Sequence, residues 1–169
     1  MMFRTHIIFA FFFYLLFISC FSLQLNVMFA LVLCFGSILP DIDSPSSFIN
    51  SRFLLGIGRT VAKFSAHRGF WHSIFGLLPF LIAGFFLALW LNFSAIYILA
   101  LSLGYMLHLA ADSFNVSGIK WLWKSGHIRG PIRTGGVFEQ VFFIALIAGT
   151  FYIIMGAHGL QNVTSFFSK

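Results

Sequence analysis

The chain has 169 residues, 60% of them apolar and only 8% charged. A soluble domain carries about 25% charged residues, so this composition excludes an ordinary water-exposed surface and makes lipid the main solvent. Ten Lys/Arg against four Asp/Glu leave a formal charge of +6; in a soluble protein that would suggest nucleic acid, but here anionic membrane lipid accounts for it and no nucleic acid is expected.

Five apolar stretches follow one another in what reads as a single integral membrane domain over residues 1–169. The first runs from Ile7 to Phe21 behind Arg4. It resembles a secretory leader, but its length and the missing small-residue cleavage site favour an uncleaved helix. Ser22, Gln24 and Asn26 form a polar turn, and the second stretch runs from Leu25 to the Leu39-Pro40 stop. It is short for a span of about 20 residues, so its end is expected below the headgroups. The third covers Ser73–Leu91, the fourth Ala95–Asp112 and the fifth Val137–Met155. Cys20 and Cys34 fall in apolar runs without metal-binding spacing and read as free buried thiols.

Two polar connections remain. Between Ser51 and Ser65, Phe53, Leu54, Ile57, Val61 and Phe64 recur at helical spacing among Arg52, Arg59 and Lys63, which predicts an amphipathic helix lying in the interface. Residues 113–136 hold Trp121 and Trp123 with Gly126, Gly130, Pro131, Gly135 and Gly136, which predicts a turn-rich loop in the aromatic belt. The expected fold class is therefore all-α: a multi-pass helical bundle of about five spans plus one interfacial helix.

Following the crossings, Arg4, Arg52, Arg59, Lys63, Arg68, Lys120, Lys124, Arg129 and Arg133 fall on one face and only Lys169 on the other. By the positive-inside rule the basic face is cytoplasmic, with the N-terminus inside and the C-terminus outside. The same crossings bring all four acids, Asp41, Asp43, Asp112 and Glu139, to that face, with His6, His67, His72, His108 and His127; His158 lies opposite. Ionisable groups at membrane depth cost a few kcal/mol each even on mild scales, so they persist where they pair or bind something.

Local spacing sharpens this. Pro40 and Pro45 bias the Asp41-Ile42-Asp43 segment to extended backbone, which would point both carboxylates the same way. His108 and Asp112, four apart on a helix, share a face. Gly69 allows a bend that would turn His67 and His72 inward. Singly, a turn-capping Asp or a structural His–Asp bond explains each piece better; their conjunction on one face favours a metal site. The proposed ligands are Asp41, Asp43, His67, His72, His108 and Asp112, with His6 as a further one. Imidazole and carboxylate donors suit Zn²⁺ foremost, or Mn²⁺ or Fe²⁺, as one or two divalent ions. His67, His72 and Glu139 are also candidate catalytic groups, because such side chains serve as ligand or as base. Arg68 and Arg133 are candidates for binding an anionic substrate.

At these residues the sequence resembles the YdjM-like, LexA-regulated, membrane-bound metal-dependent hydrolases. The resemblance lies in ordered motifs: Thr5-His6, then Leu39-Pro40-Asp41-Ile42-Asp43 with Ser44-Pro45, then His67-Arg68-Gly69 with Trp71-His72-Ser73. Gly104-Tyr105, His108 and Asp112 follow, then Gly118 with Trp121-Leu122-Trp123, and Arg133-Thr134-Gly135-Gly136 with Glu139. Asn115 stands where Thr is usual, Lys124 where Pro is, and Ser44 where His is frequent, which removes one possible ligand. The resemblance implies a bacterial or archaeal inner-membrane enzyme hydrolysing a phosphoester or lipid-linked small molecule at the cytoplasmic face. Two rivals stand beside it: a metal or ion carrier, against which the uniformly apolar third and fifth stretches count, and a non-catalytic metal-stabilised scaffold.

Overall fold

The computed structural model describes residues 1–43 and 69–156. The expected interfacial helix at 51–65, the candidates His67 and Arg68, Ser44, and the opposite-face markers His158 and Lys169 lie outside the described residues, as does the side chain of Asp43.

Five α-helices appear where apolar stretches were expected: α1 Phe3–Cys20, α2 Val27–Gly36, α3 Ile74–Leu91, α4 Ile96–Ser113 and α5 Val137–Met155. Four of them, α1, α3, α4 and α5, are long and apolar enough to cross a membrane. The fifth, α2, is the shorter apolar helix that its brief hydrophobic run led one to expect. At 1.5 Å per residue the 18-residue α4 rises about 27 Å and the ten-residue α2 only about 15 Å. Asn26 caps α2 by accepting from the Phe29 amide at 2.9 Å.

The shortness of α2 sets the architecture. It packs chiefly on α4, while α1 packs on α5. Gly36 lies against the Leu101 carbonyl of α4, and Gly104 against the Leu33 carbonyl of α2, each so close that no Cβ would fit. Small residues allow such approach between helices in lipid, where packing rather than water exclusion drives association. Because α2 ends early, Ser37 and the following turn are carried into the bundle. Irregular backbone at that depth is tolerated only where protein buries it or a cavity receives it.

That turn, Leu39–Asp43, is 3₁₀-helical rather than extended. Pro40 explains the correction: in the first turn of a helix its fixed φ fits and its missing N–H is not needed. A second 3₁₀ turn, Phe70–His72, follows Gly69, whose backbone (φ −90°, ψ −116°) provides the expected bend, and leads into α3.

The fold is also not purely helical. Within the expected turn-rich loop, β1 (Ile119–Leu122) and β2 (Ser125–Ile128) form an antiparallel hairpin, with Ile119 opposite Ile128 and Lys120 opposite His127. Its four-residue strands are too short to declare a period of two, and its turn residues, Trp123-Lys124, are not a usual hairpin pair. Elsewhere the chain remains mostly helix. α3 and α5 expose Phe75, Phe85, Phe86, Trp90, Phe138, Ile144 and Phe151 along their lengths, a surface suited to acyl chains and not to water.

Candidate metal centre

Five side chains from four separate segments meet at the end of the bundle where α1 begins and α4 ends. His6 comes from the first turns of α1, Asp41 from the turn after α2, His72 from the turn before α3, and His108 and Asp112 from α4. His6, His72, His108 and Asp112 are at most 1% exposed. Two overlapping groups, His6–Asp41–His108 and His72–His108–Asp112, each have ligand atoms within 4.8 Å of one another.

His108 is at the centre. Its Nδ1 lies 2.7 Å from the Ser37 carbonyl. A carbonyl can only accept, so Nδ1 carries the proton and Nε2 presents its lone pair inward. That arrangement, one ring nitrogen held by a backbone oxygen and the other aimed at the site, is how metal-binding imidazoles are oriented. His108 Nε2 is 3.9 Å from Asp41 Oδ1 and 3.9 Å from Asp112 Oδ2. His72 Nε2 is 3.4 Å from Asp41 Oδ1 and 3.9 Å from Asp112 Oδ2. His6 stacks on His108 with ring centroids 3.8 Å apart and places Nε2 at 3.4 Å from Asp112 Oδ1. The Met1 amino group donates to the same Oδ1 at 2.6 Å, leaving Oδ2 to His72 and His108.

The residues fit a metal. His108 Nε2 and His6 Nδ1 are buried without a hydrogen-bond partner among the described residues, a cost of about 1–3 kcal/mol per group unless something binds there. The donor atoms of each group already lie within 4.8 Å of one another, so an ion between them would need the side chains only to draw inward. Burial alone would raise the Asp41 carboxyl, but the facing His108, His72 and His6 rings outweigh it and hold the group below the usual carboxylate range, in the form that ligates.

The other candidates have different places. Glu139 is buried but belongs to a separate network: Oε1 accepts from the Met2 amide at 2.6 Å and the Thr5 hydroxyl at 2.9 Å, and Oε2 from the Gly135 amide at 2.6 Å. It ties the start of α1 to the start of α5, and it is in neither ligand group. Arg133 is exposed near the start of α5. His127 is exposed on the hairpin, its Nε2 3.3 Å from the Ser117 carbonyl. Tyr105, buried one turn before His108, donates its hydroxyl to the Trp71 carbonyl and so holds the turn that carries His72. The spacing Tyr105, His108, Asp112 at i, i+3, i+7 was the available signal for that role. The Ser37 carbonyl had no signal, since a backbone oxygen leaves no mark in residue type. An apolar cavity of about 720 Å³ between α1, α2 and α4 lies towards the other end of the bundle, around Phe13, Phe17, Phe29, Leu99 and Leu103, and contains none of the candidate ligands.

The model of the YdjM inner membrane protein family matches residues 1–167. The chain is 36% identical over 116 residues to inner membrane protein YdjM of Escherichia coli (strain K12), and equally to that of Shigella flexneri. These alignments take in 64% of this chain and 58% of each relative, so the chain matches rather more than half the length of those proteins. It is 33% identical over 129 residues to uncharacterized protein YvsG of Bacillus subtilis (strain 168), covering 73% of this chain and 77% of that protein. No solved structure matches.

Proposed function

We propose, for a chain that belongs to the YdjM inner membrane protein family and is therefore a multi-pass inner-membrane protein, that the His/Asp cluster holds a divalent metal ion and catalyses hydrolysis at the cytoplasmic face. The observation that carries the reading is the convergence of His6, Asp41, His72, His108 and Asp112 from four segments on one buried point, with imidazole nitrogens that have no hydrogen-bond partner among the described residues. Ligands for the ion would be His108, His72, Asp112 and Asp41, with His6, stacked on His108, as an outer partner. Nitrogen and oxygen donors without thiolate suit Zn²⁺ first, then Mn²⁺ or Fe²⁺.

When bound, the ion supplies Lewis-acid activation of water and of the bond under attack. The chain's own residues do the rest. Ser37 fixes the His108 tautomer through its carbonyl, and Tyr105 fixes the turn bearing His72 through the Trp71 carbonyl. Asp41, about one-fifth exposed at its side chain while its neighbours are sealed, is the ligand at the mouth of the site, where a substrate would approach. Arg133, exposed near the start of α5, would attract an anionic group such as a phosphoester or a lipid headgroup.

The test is metal analysis of the purified protein, followed by turnover on a panel of phosphoesters and lipids. Near-stoichiometric metal, lost in Asp112→Ala, with chelator-sensitive turnover lost in Asp41→Asn, supports the enzyme. Metal without turnover across the panel selects the non-catalytic scaffold. Metal-dependent ion flux in vesicles without turnover selects the carrier.

A further inference from the structure

The β1–β2 hairpin is joined on one side to the segments that carry the site and, among the described residues, is uncovered on the other. Ile119 is buried, the Trp121 indole N–H donates to the Ser113 hydroxyl at 2.9 Å beside Asp112, and Trp123 meets Phe70 edge-on at 5.6 Å, two residues before His72. The outer side combines two kinds of exposed group. Leu122 and Trp123 are 51% and 45% exposed, and Lys120, Lys124, Arg129 and Arg133 are exposed among them. No acid occurs anywhere in residues 113–138. Lys120 stands directly across the ladder from His127, so two groups able to donate to an anion share one face. The tip holds Trp123 at φ +62°, a left-handed conformation that is costly for a bulky side chain. Lys124 Nζ lies 5.2 Å over the same indole.

Apolar tip residues ringed by cations with no counter-charge match a surface that is apolar below and anionic above. The hairpin lies between the end of α4 and the start of α5, which is the level of the headgroups. A second copy of the same hairpin would bring like charges together, and a nucleic acid would leave Leu122 without a partner. We infer that the hairpin is a docking site for anionic phospholipid headgroups, with Lys120, Lys124 and Arg129 as phosphate contacts and Trp123 and Leu122 seated among the upper acyl carbons. The inference requires no metal in the neighbouring site.

Delipidated protein in detergent, titrated with phosphatidylglycerol and separately with phosphatidylcholine and followed by native mass spectrometry and tryptophan fluorescence, tests it. Each cation near an anionic surface adds about fivefold in affinity. The wild-type chain should therefore prefer phosphatidylglycerol strongly, and the variant Lys120→Gln/Lys124→Gln/Arg129→Gln should lose at least tenfold of that preference, its phosphatidylglycerol binding falling towards that of phosphatidylcholine. Arg133 is left intact so that the candidate substrate contact is not disturbed. Raising salt on the wild type provides a second readout that needs no variant, and the preference should fall as charge is screened. Inorganic phosphate should not displace the lipid, since it lacks the chain that Trp123 and Leu122 hold. An unchanged preference in the variant, salt-independent binding, displacement by phosphate alone, or a protein dimer in place of the lipid adduct would each overturn it.

Discussion

The His108 ring nitrogen Nδ1 rests 2.7 Å from the Ser37 carbonyl, and this contact sets the direction of the whole candidate site. Ser37 is available only because α2 ends after ten residues, at Gly36. His108 lies five residues before the end of α4, about 7–8 Å inside it at helical rise. The early stop of one helix thus meets a buried imidazole on another.

The Gly36–Leu101 and Gly104–Leu33 approaches hold α2 in that position. In Gly104→Ala the new methyl collides with the Leu33 carbonyl, and backbone must give way. A loss of about 1–3 kcal/mol in thermal or denaturant melting of the purified protein is expected, with weakened metal retention as the Ser37 carbonyl shifts away from His108. Wild-type stability in this variant would mean that α2 and α4 are not so close.

Glu139 separates a structural carboxylate from a ligand. Three donors converge on it, so Glu139→Ala strands them at about 1–3 kcal/mol each where they are buried. Glu139→Gln keeps oxygen for one or two and should lose less stability. Both variants should retain bound metal; loss of metal in the well-folded Gln variant would return Glu139 to the coordination shell.

His6 is expected to tune the site rather than found it. His6→Ala removes the ring stacked on His108 and the contact to Asp112. Metal affinity should fall about 10–100-fold, as for outer partners of a metal site, whereas His108→Ala should abolish binding in equilibrium dialysis. Equal losses in the two would place both in the first ring of ligands.

Acid should release the metal. An ordinary imidazole takes up its proton near pH 6.5 and must be neutral to ligate. Protons therefore compete with the ion for each ligating ring, and occupancy should fall as pH is lowered. Asp41 is held below the usual carboxylate range, so any stability tied to its charge is present above pH about 4 and is lost only in stronger acid. Metal content after dialysis over about pH 3 to 8 measures this; occupancy unchanged across that range would show that no imidazole holds the ion.

Orientation follows from charge. A reporter fused after Lys169 should read as external, because nine of the ten basic residues fall on the other face by the crossings. A cytoplasmic reporter signal would reverse the membrane placement of the site while leaving its geometry intact.

Much of this was legible along the chain. Hydrophobic run length located α1, α3, α4 and α5 to within a few residues, because in lipid each backbone amide must be satisfied inside its own segment. The i, i+4 pairing placed His108 beside Asp112, and Gly69 marked the bend before His72. The reading failed where local preference was outvoted. Pro40 suggested extended backbone and instead opened a 3₁₀ turn, and β1 and β2 were too short to show their period. Glu139 looked like a member of the acid cluster because topology sorts residues by membrane face and says nothing about which neighbours lie within 3 Å.

Residue type and order alone therefore determined that the chain lives in a bilayer and that its acids and most of its histidines collect at one side, since the cost of charge in hydrocarbon acts on every residue wherever it lies. Tertiary structure alone decided which of them touch. His6 joined the cluster, Glu139 was drawn into the α1–α5 tie, and Ser37 lent its carbonyl to His108, because those outcomes depend on helix length, glycine contact and backbone hydrogen bonding between segments distant in the chain.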